Sequence, residues 1–395
     1  MRSICRAIPV IISATAAAFR PGPIRARQRG DLLISCLGNL QGRKVSNDSI
    51  QKRMAMRDLQ SDDTFTYTTL DDIDENSQER KPSCRRDLKR VLQTIERAAY
   101  GAGEIALSTA GKIAVKSTKA NARDLVTESD VECQHLIREI IQKEFPDDVF
   151  LGEEGIDLSG DSSAASSDAL KDAMGIAGRS DSKDRLLFVV DPIDGTTNFQ
   201  AGLPIYAMSI GVVSLSGKTP EVVAGVIYNP TLGEMMSAVR GRGCYLNNVR
   251  IDPVPRNNDH KEKPRSTMLS QSLVNVGFPV CKESTLLVSS RAVNALATKV
   301  RGLRMVACAS QAMAWVAQSK FDSYFSWDLN AWDIAAGMVI VEESGGLVSN
   351  FDGTKADISS RDMVITCRPE SRREEGLLRD ELIEVMRDNK CIEYD

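Results

Sequence analysis

Five apolar residues in a row, Leu186 to Val190, run without a break into Asp191-Pro192-Ile193-Asp194-Gly195-Thr196-Thr197. A short continuous apolar run closed by turn residues reads as a buried strand, so two carboxylates emerge where that strand ends. Pro192 fixes the local backbone and has no N–H to donate. The Ile193 carbonyl is then able to point the same way as the two acids. Three oxygen donors on one turn suit a hard cation such as Mg2+ rather than zinc. Gly195 and Thr196 follow at an expected helix start, where free N–H groups and the helix dipole together stabilise an anion. A cation-binding face beside a phosphate-binding face is what hydrolysis of a phosphate ester requires. The plain alternative for the same residues is an Asp-Pro turn followed by an Asp-Gly turn.

Composition removes competing chemistries. The chain has 395 residues, a length that suits two domains, and 42% hydrophobic content is enough for a sizeable core. Only His135 and His260 are present, which excludes a zinc site built on several imidazoles and leaves few routes to a Ser-His-Asp triad. Fifty basic residues against 54 acidic ones give a net charge of −4, so no basic field exists to hold a nucleic acid. Nine cysteines are scattered with no C-x-x-C pair. That pattern argues against a disulfide framework or a thiolate metal site, and favours small buried hydrophobes in a reducing compartment.

The amino-terminal part reads as leader and linker. Residues 1–30 hold six Arg and no Asp, Glu or Lys, around an apolar stretch from Ala7 to Phe19. Thirteen residues fall short of the roughly 20 that span a bilayer as a helix. The Arg-flanked stretch ends in Thr15-Ala16-Ala17-Ala18 and resembles a signal peptide with a small-residue cleavage site. The basic, acid-poor segment behind it resembles a transit peptide. Together they are similar to the two-part leader of proteins sent to plastids, with a mitochondrial presequence or secretion as alternatives. Residues 58–79 carry eight acids and no Lys or Arg, so 31–81 is expected to be a disordered tether.

From about residue 82 the pattern alternates helices and strands. An amphipathic helix is expected over 87–110, with Gly101 and Gly103 weakening it or admitting another backbone. Ser129-x-x-Glu132 reads as a capping box opening a second helix that Pro146 stops. A short strand, 149–151, ends in Gly152-Glu153-Glu154, and the Ser/Ala-rich stretch 156–184 is expected to be a long loop. Strands are expected near 206–215, 221–228, 234–239, 267–271, 303–307 and 363–367, and helices near 285–300, 309–319, 332–344 and 373–388. This pattern divides the body into an α+β lobe at 82–265 and an α/β lobe at 266–395. His135 suits a helix surface, and Trp315, Trp327 and Trp332 suit packing.

Three motifs occur in order: Gly152-Glu153-Glu154, Asp191 to Thr197 with Asn198-Phe199 behind it, and Trp332-Asp333-Ile334-Ala335-Ala336-Gly337. With the Asp124 to Asp130 element and the 221–250 hairpins, they resemble the inositol monophosphatase family of magnesium-dependent, lithium-sensitive phosphatases, over about residues 87–390. The resemblance implies a layered α/β/α/β/α sandwich, commonly dimeric, with the metal site between its two lobes. Glu153, Asp191 and the Ile193 carbonyl would hold a first Mg2+; Asp191, Asp194 and Asp333 a second. Glu154 would act through water or a third ion. Thr196, paired with Asp130, would orient and deprotonate the attacking water, with Gly195 and Thr196 on the phosphate. Such a site needs no catalytic His or Cys, because loose phosphoryl transfer calls for positioning and charge neutralisation.

On the substrate side, Ala309 matches a position lining the inositol pocket. Many relatives carry Glu seven residues before the Asp of Trp-Asp, where it grips ring hydroxyls; here Ser326 stands there, with Asp328 two residues on. Losing that contact would cost about 1.5–3 kcal/mol unless Asp328 replaces it. The expected substrate is myo-inositol 1-phosphate, with histidinol phosphate or a sugar phosphate as the alternative. A non-catalytic binding protein on the same fold is the reading from another class.

Overall fold

Asp87 accepts from the backbone N–H groups of Lys89 and Arg90 at 3.1 and 3.2 Å, and so caps helix α1, Leu88–Thr109. Its buried stripe holds Leu88, Val91, Leu92, Ile95, Ala99, Ala102 and Ala106, at the spacing of one helix face. Gly103 admits an aromatic ring, not a second backbone: a Cβ there would stand 2.4 Å from Tyr228 Cε1. The computed structural model describes residues 86–112, 115–118, 125–156, 162–178, 185–217, 219–251, 269–278, 283–367 and 377–392. The expected leader, the tether and the polar stretch 252–265 lie outside them. Among the described residues no helix is long and apolar enough to cross a membrane.

Strands Val115–Thr118 (β1) and Leu125–Thr127 (β2) form a small antiparallel pair leading into helix α2, Glu128–Glu144. The capping box sits two residues earlier than expected: Thr127 is the N-cap and Asp130 the N3 residue. A carboxylate one methylene shorter than glutamate closes the box as well, because Asp130 Oδ2 reaches the Thr127 N–H at 2.9 Å.

The larger sheet has the order β3-β4-β5-β6-β7-β8-β9. Its strands are Val149–Gly152, Leu186–Asp194, Ala207–Ser214, Glu221–Asn229, Glu234–Val239, Cys244–Leu246 and Val249–Arg250. Strands β3 and β4 are parallel and the remaining neighbours antiparallel. The smaller sheet comprises Leu273–Val276 (β10), Gly302–Arg304 (β11), Ser323–Ser326 (β12), Leu347–Asn350 (β13) and Met363–Thr366 (β14), in the order β11-β10-β12-β14-β13.

Helices α1 and α2 cover one face of the larger sheet. Helices Ala309–Ala317 (α6) and Ala331–Glu343 (α7) fill the space between the sheets. Helix Leu377–Asp388 (α8) lies on β14, with Glu283–Leu296 (α5) against it. This is the expected five-layered sandwich. Residues of β4 and β5 are buried throughout because helices stand on both faces, which explains their unbroken apolar runs. Ile95, Ile137 and Phe188 are fully buried between helix and sheet, each contributing about 1.5–3 kcal/mol by leaving water.

Three further expectations need correction. Ser162–Ala177 forms helix α3 rather than loop. Its buried residues Ser166, Leu170, Ala173 and Ala177 share one face, and packing on β3 and β4 overrides the weak propensity of its serines. Of the strand expected at 267–271, the described residues Leu269–Gln271 form a 3-10 turn, and a strand follows at 273–276. Strand β4 does not stop at Val190 but continues to Asp194.

Candidate active site

Strands β3 and β4 place their acids side by side. Gly152 pairs with Val190 in the parallel register, and Glu153 N–H donates to the Val190 carbonyl at 3.0 Å. Glu153 and Asp191 therefore leave the same end of adjacent strands. The Gln134 side chain clasps the Glu154 backbone, donating to its carbonyl at 2.7 Å and accepting from its N–H at 2.9 Å. Only glycine allows this at 152, where a Cβ would stand 2.1 Å from Gln134 Oε1.

The last four residues of β4 form a bulge. Asp191 pairs with Ser209 and Asp194 with Ala207, so three steps on β4 oppose two on β5. The extra residue bends the strand and re-aims its side chains. Ile193 N–H donates to Asp191 Oδ1 at 3.1 Å, and the Ile193 carbonyl accepts from Thr196 Oγ1 at 3.2 Å. Gly195 turns the chain with φ +87° into the short helix Thr196–Gln200 (α4). A Cβ at Gly195 would come within 3.0 Å of the Ile205 carbonyl and 3.2 Å of Cys308 Cβ. Thr196 Oγ1 also lies 3.2 Å from Asp130 Oδ1, which joins this turn to the start of α2.

Asp333 arrives from the other layer at the N3 position of α7. Its Oδ2 accepts from the Asn330 N–H at 2.7 Å. Small residues let that helix lie directly on the larger sheet: a Cβ on Gly211 would stand 2.4 Å from Ala335 Cβ, and one on Gly225 2.8 Å from Ala336 Cα. Ser209, the register partner of Asp191, donates to the Trp332 carbonyl at 3.2 Å. The helix start is thereby fixed to the strand beside Asp191.

The acids are electrostatically coupled. Burial, then the charges of Asp194 and Glu153, hold the Asp333 carboxyl well above the usual carboxylate range. Burial also raises Asp194, against hydrogen bonds from Ser310 and its neighbours that favour the ionised form. Asp191 is 2% and Asp194 9% exposed. Buried carboxylates that repel one another are a donor set suited to a hard cation, which would remove the penalty each suffers. Among the described residues no group of three or more His, Cys, Asp or Glu side chains is arranged so that it could hold a metal ion as it stands. The donors suit Mg2+ by their chemistry, all of them oxygens.

Ala309 is the first residue of α6, and the Ser310 N–H beside it donates to Asp194 Oδ2. Ser326 ends β12, buried, with its hydroxyl donating to the Trp327 carbonyl at 3.3 Å. Asp328 Oδ1 accepts from Arg361 Nη2 at 2.6 Å and Nε at 3.1 Å, so its charge is committed to an ion pair. Sequence reasoning missed Gln134, Ser310 and Arg361, and named Asn198 as part of the motif without giving it a role. Asn198 Nδ2 donates to the carbonyls of Ile205 and Val306 at 2.8 Å each, tying α4 to the segment before α6. His135 is exposed on α2, Trp327 and Trp332 are core, and the five described cysteines are free.

The sequence pattern of the inositol monophosphatase family matches residues 87–385. The chain belongs to the inositol monophosphatase family. As a member it is a phosphatase, and its family is generally metal-dependent. It is 29% identical over 283 residues to the fructose-1,6-bisphosphatase/inositol-1-monophosphatase of Thermotoga maritima, covering 72% of this chain and 90% of that protein. Inositol monophosphatase 1 of Solanum lycopersicum is 34% identical over 62% of this chain and 78% of its own length. Among solved structures, the extragenic suppressor protein suhB of Bartonella henselae is 26% identical, with a TM-score of 0.59 over 75% of this chain and 98% of that one.

Proposed function

We propose that this phosphatase is a Mg2+-dependent phosphomonoesterase that converts an inositol monophosphate to inositol and phosphate. The observation that carries the reading is the Thr196–Asp130 hydrogen bond beside the acidic bulge of β4. Glu153, Asp191 and the Ile193 carbonyl would hold one Mg2+; Asp191, Asp194 and Asp333 would hold another, and Glu154 would take part through water or a third ion. The bound cations supply charge neutralisation for the loose state of phosphoryl transfer.

The protein's own residues do the rest. Thr196 Oγ1 orients the attacking water and Asp130 takes up the proton passed through that hydroxyl. The N–H groups at Gly195 and Thr196 face the phosphate. Ala309, Ser326 and Asp328 border the leaving alcohol. The same reading takes the active form as a homodimer and residues 1–30 as a plastid leader.

A second reading rests on a specific observation. Ser326 carries no charge and Asp328 is paired with Arg361, so neither offers a free carboxylate to ring hydroxyls. That favours another small phosphomonoester, such as histidinol phosphate or a sugar phosphate. Phosphate release with Mg2+ across inositol 1-phosphate, histidinol phosphate and sugar phosphates decides between them, using protein that begins near residue 82. The first reading expects kcat/KM highest on inositol 1-phosphate; a far higher value on histidinol phosphate would reverse the order.

A further inference from the structure

Arg361 precedes β14 and binds two separate elements with one guanidinium. Nη2 and Nε donate to Asp328 Oδ1 at 2.6 and 3.1 Å, and Nη2 also reaches the Asp328 carbonyl at 3.3 Å. Nη1 donates to Asn330 Oδ1 at 3.1 Å and to Ser166 Oγ at 2.9 Å. The turn it grips is constrained further. Asp328 has φ +53°, its N–H donates to Asp362 Oδ1 at 2.8 Å, and Leu329 N–H donates to the Arg361 carbonyl at 2.8 Å. Aspartate tolerates this left-handed conformation better than most residues, and the two backbone hydrogen bonds fix it there.

Asn330 connects this clamp to the site. It is the N-cap of α7, and its N–H carries the hydrogen bond to Asp333 Oδ2. A planar guanidinium can hold a carboxylate and an amide oxygen in fixed relative positions, which a lysine cannot. Ser166 occupies the remaining edge from α3, 195 residues away in sequence, and is itself buried.

We propose that Arg361 is a positioning residue that fixes the Asp333 carboxylate for divalent-cation binding through Asn330, and that Ser166 makes helix α3 part of that support. The inference rests on the proposed metal site. It assigns a role to the Ser/Ala-rich stretch that the proposed chemistry does not use.

The test titrates Mg2+ calorimetrically into the full chain and into Arg361→Gln, Arg361→Lys, Ser166→Ala and Ser166→Thr, with phosphate release measured against Mg2+ concentration in parallel. Arg361→Gln should weaken Mg2+ binding about tenfold, as loss of a group that orients a metal ligand does, with Arg361→Lys in between. Ser166→Ala should weaken it about threefold through loss of one hydrogen bond, and Ser166→Thr should restore wild-type affinity. At saturating Mg2+ the KM for the ester should stay unchanged in Ser166→Ala, since Ser166 lies on the edge of the guanidinium away from Asp328. Wild-type Mg2+ affinity in folded Arg361→Gln would overturn the proposal. Should that variant not fold, wild-type affinity in Ser166→Ala would do so. A wild-type protein that binds no Mg2+ would instead overturn the functional reading beneath it.

Discussion

Thr196 Oγ1 stands 3.2 Å from Asp130 Oδ1, so a residue just past β4 shares a hydrogen bond with the N3 position of α2, 66 residues earlier. Asp130 uses its other oxygen to bind the Thr127 N–H at 2.9 Å, which fixes the carboxylate in place. A hydroxyl held by a fixed carboxylate is arranged to take a proton from water and pass it on.

Removing either partner should therefore reduce turnover. Thr196→Ala and Asp130→Asn are expected to lower kcat by about 10²–10⁴, with little change in KM, in steady-state phosphate-release assays. Thr196→Ser keeps the hydroxyl and should retain most activity. Asp130→Ala, which removes the acceptor altogether, should also lower Tm, because the capping interaction contributes about 1 kcal/mol.

Metal-free protein should show the cost of its buried acids. Asp194 and Asp333 have raised carboxyl pKa values, with burial the first cause in both. The folded state therefore binds protons more readily than the unfolded chain. The stabilisation from protonation is fully present below the ordinary Asp value of 3.8 and is lost as pH rises through the raised native values. With chelator at pH 8, Asp333→Asn should melt higher than wild type, and the gap should narrow as pH falls. A variant less stable than wild type at every pH would contradict this.

Gly195→Ala should be costly in both stability and rate. The position needs φ +87°, and a Cβ would press on the Ile205 carbonyl and Cys308. A loss of about 1–3 kcal/mol is expected, read as a lower denaturant midpoint. Activity should fall further than stability alone explains, because Thr196 follows directly.

Mg2+ should raise Tm. At 100 times its dissociation constant, a ligand that binds only the folded state adds about 2.7 kcal/mol. That corresponds to a rise of roughly 4 °C for a domain of about 300 residues. Asp191→Asn should abolish the rise, and chelation should reverse it in the wild type.

The acids of this site are legible in the sequence because each follows a local signal. Asp191 and Asp194 end an apolar run, Glu153 ends a short strand, and Asp333 sits in the first turn of a helix. What local pattern could not convey is how layers meet. The bulge in β4 depends on its partner β5, and the closeness of α7 depends on Gly211 and Gly225 facing Ala335 and Ala336. Helix α3 was hidden because serines weaken helical propensity while tertiary burial of Leu170 and Ala173 restores it. Arg361 looks like an ordinary surface cation until folding brings Ser166, Asp328 and Asn330 around it.

Crystals soaked in Mn2+ and measured at its absorption edge test the central claim most directly. Anomalous density is expected among Glu153, Asp191, Asp194 and Asp333, and should vanish in Asp191→Asn. Well-ordered carboxylates at full Mn2+ exposure, with no density between them, would contradict the assignment of this site to metal-dependent phosphate-ester hydrolysis.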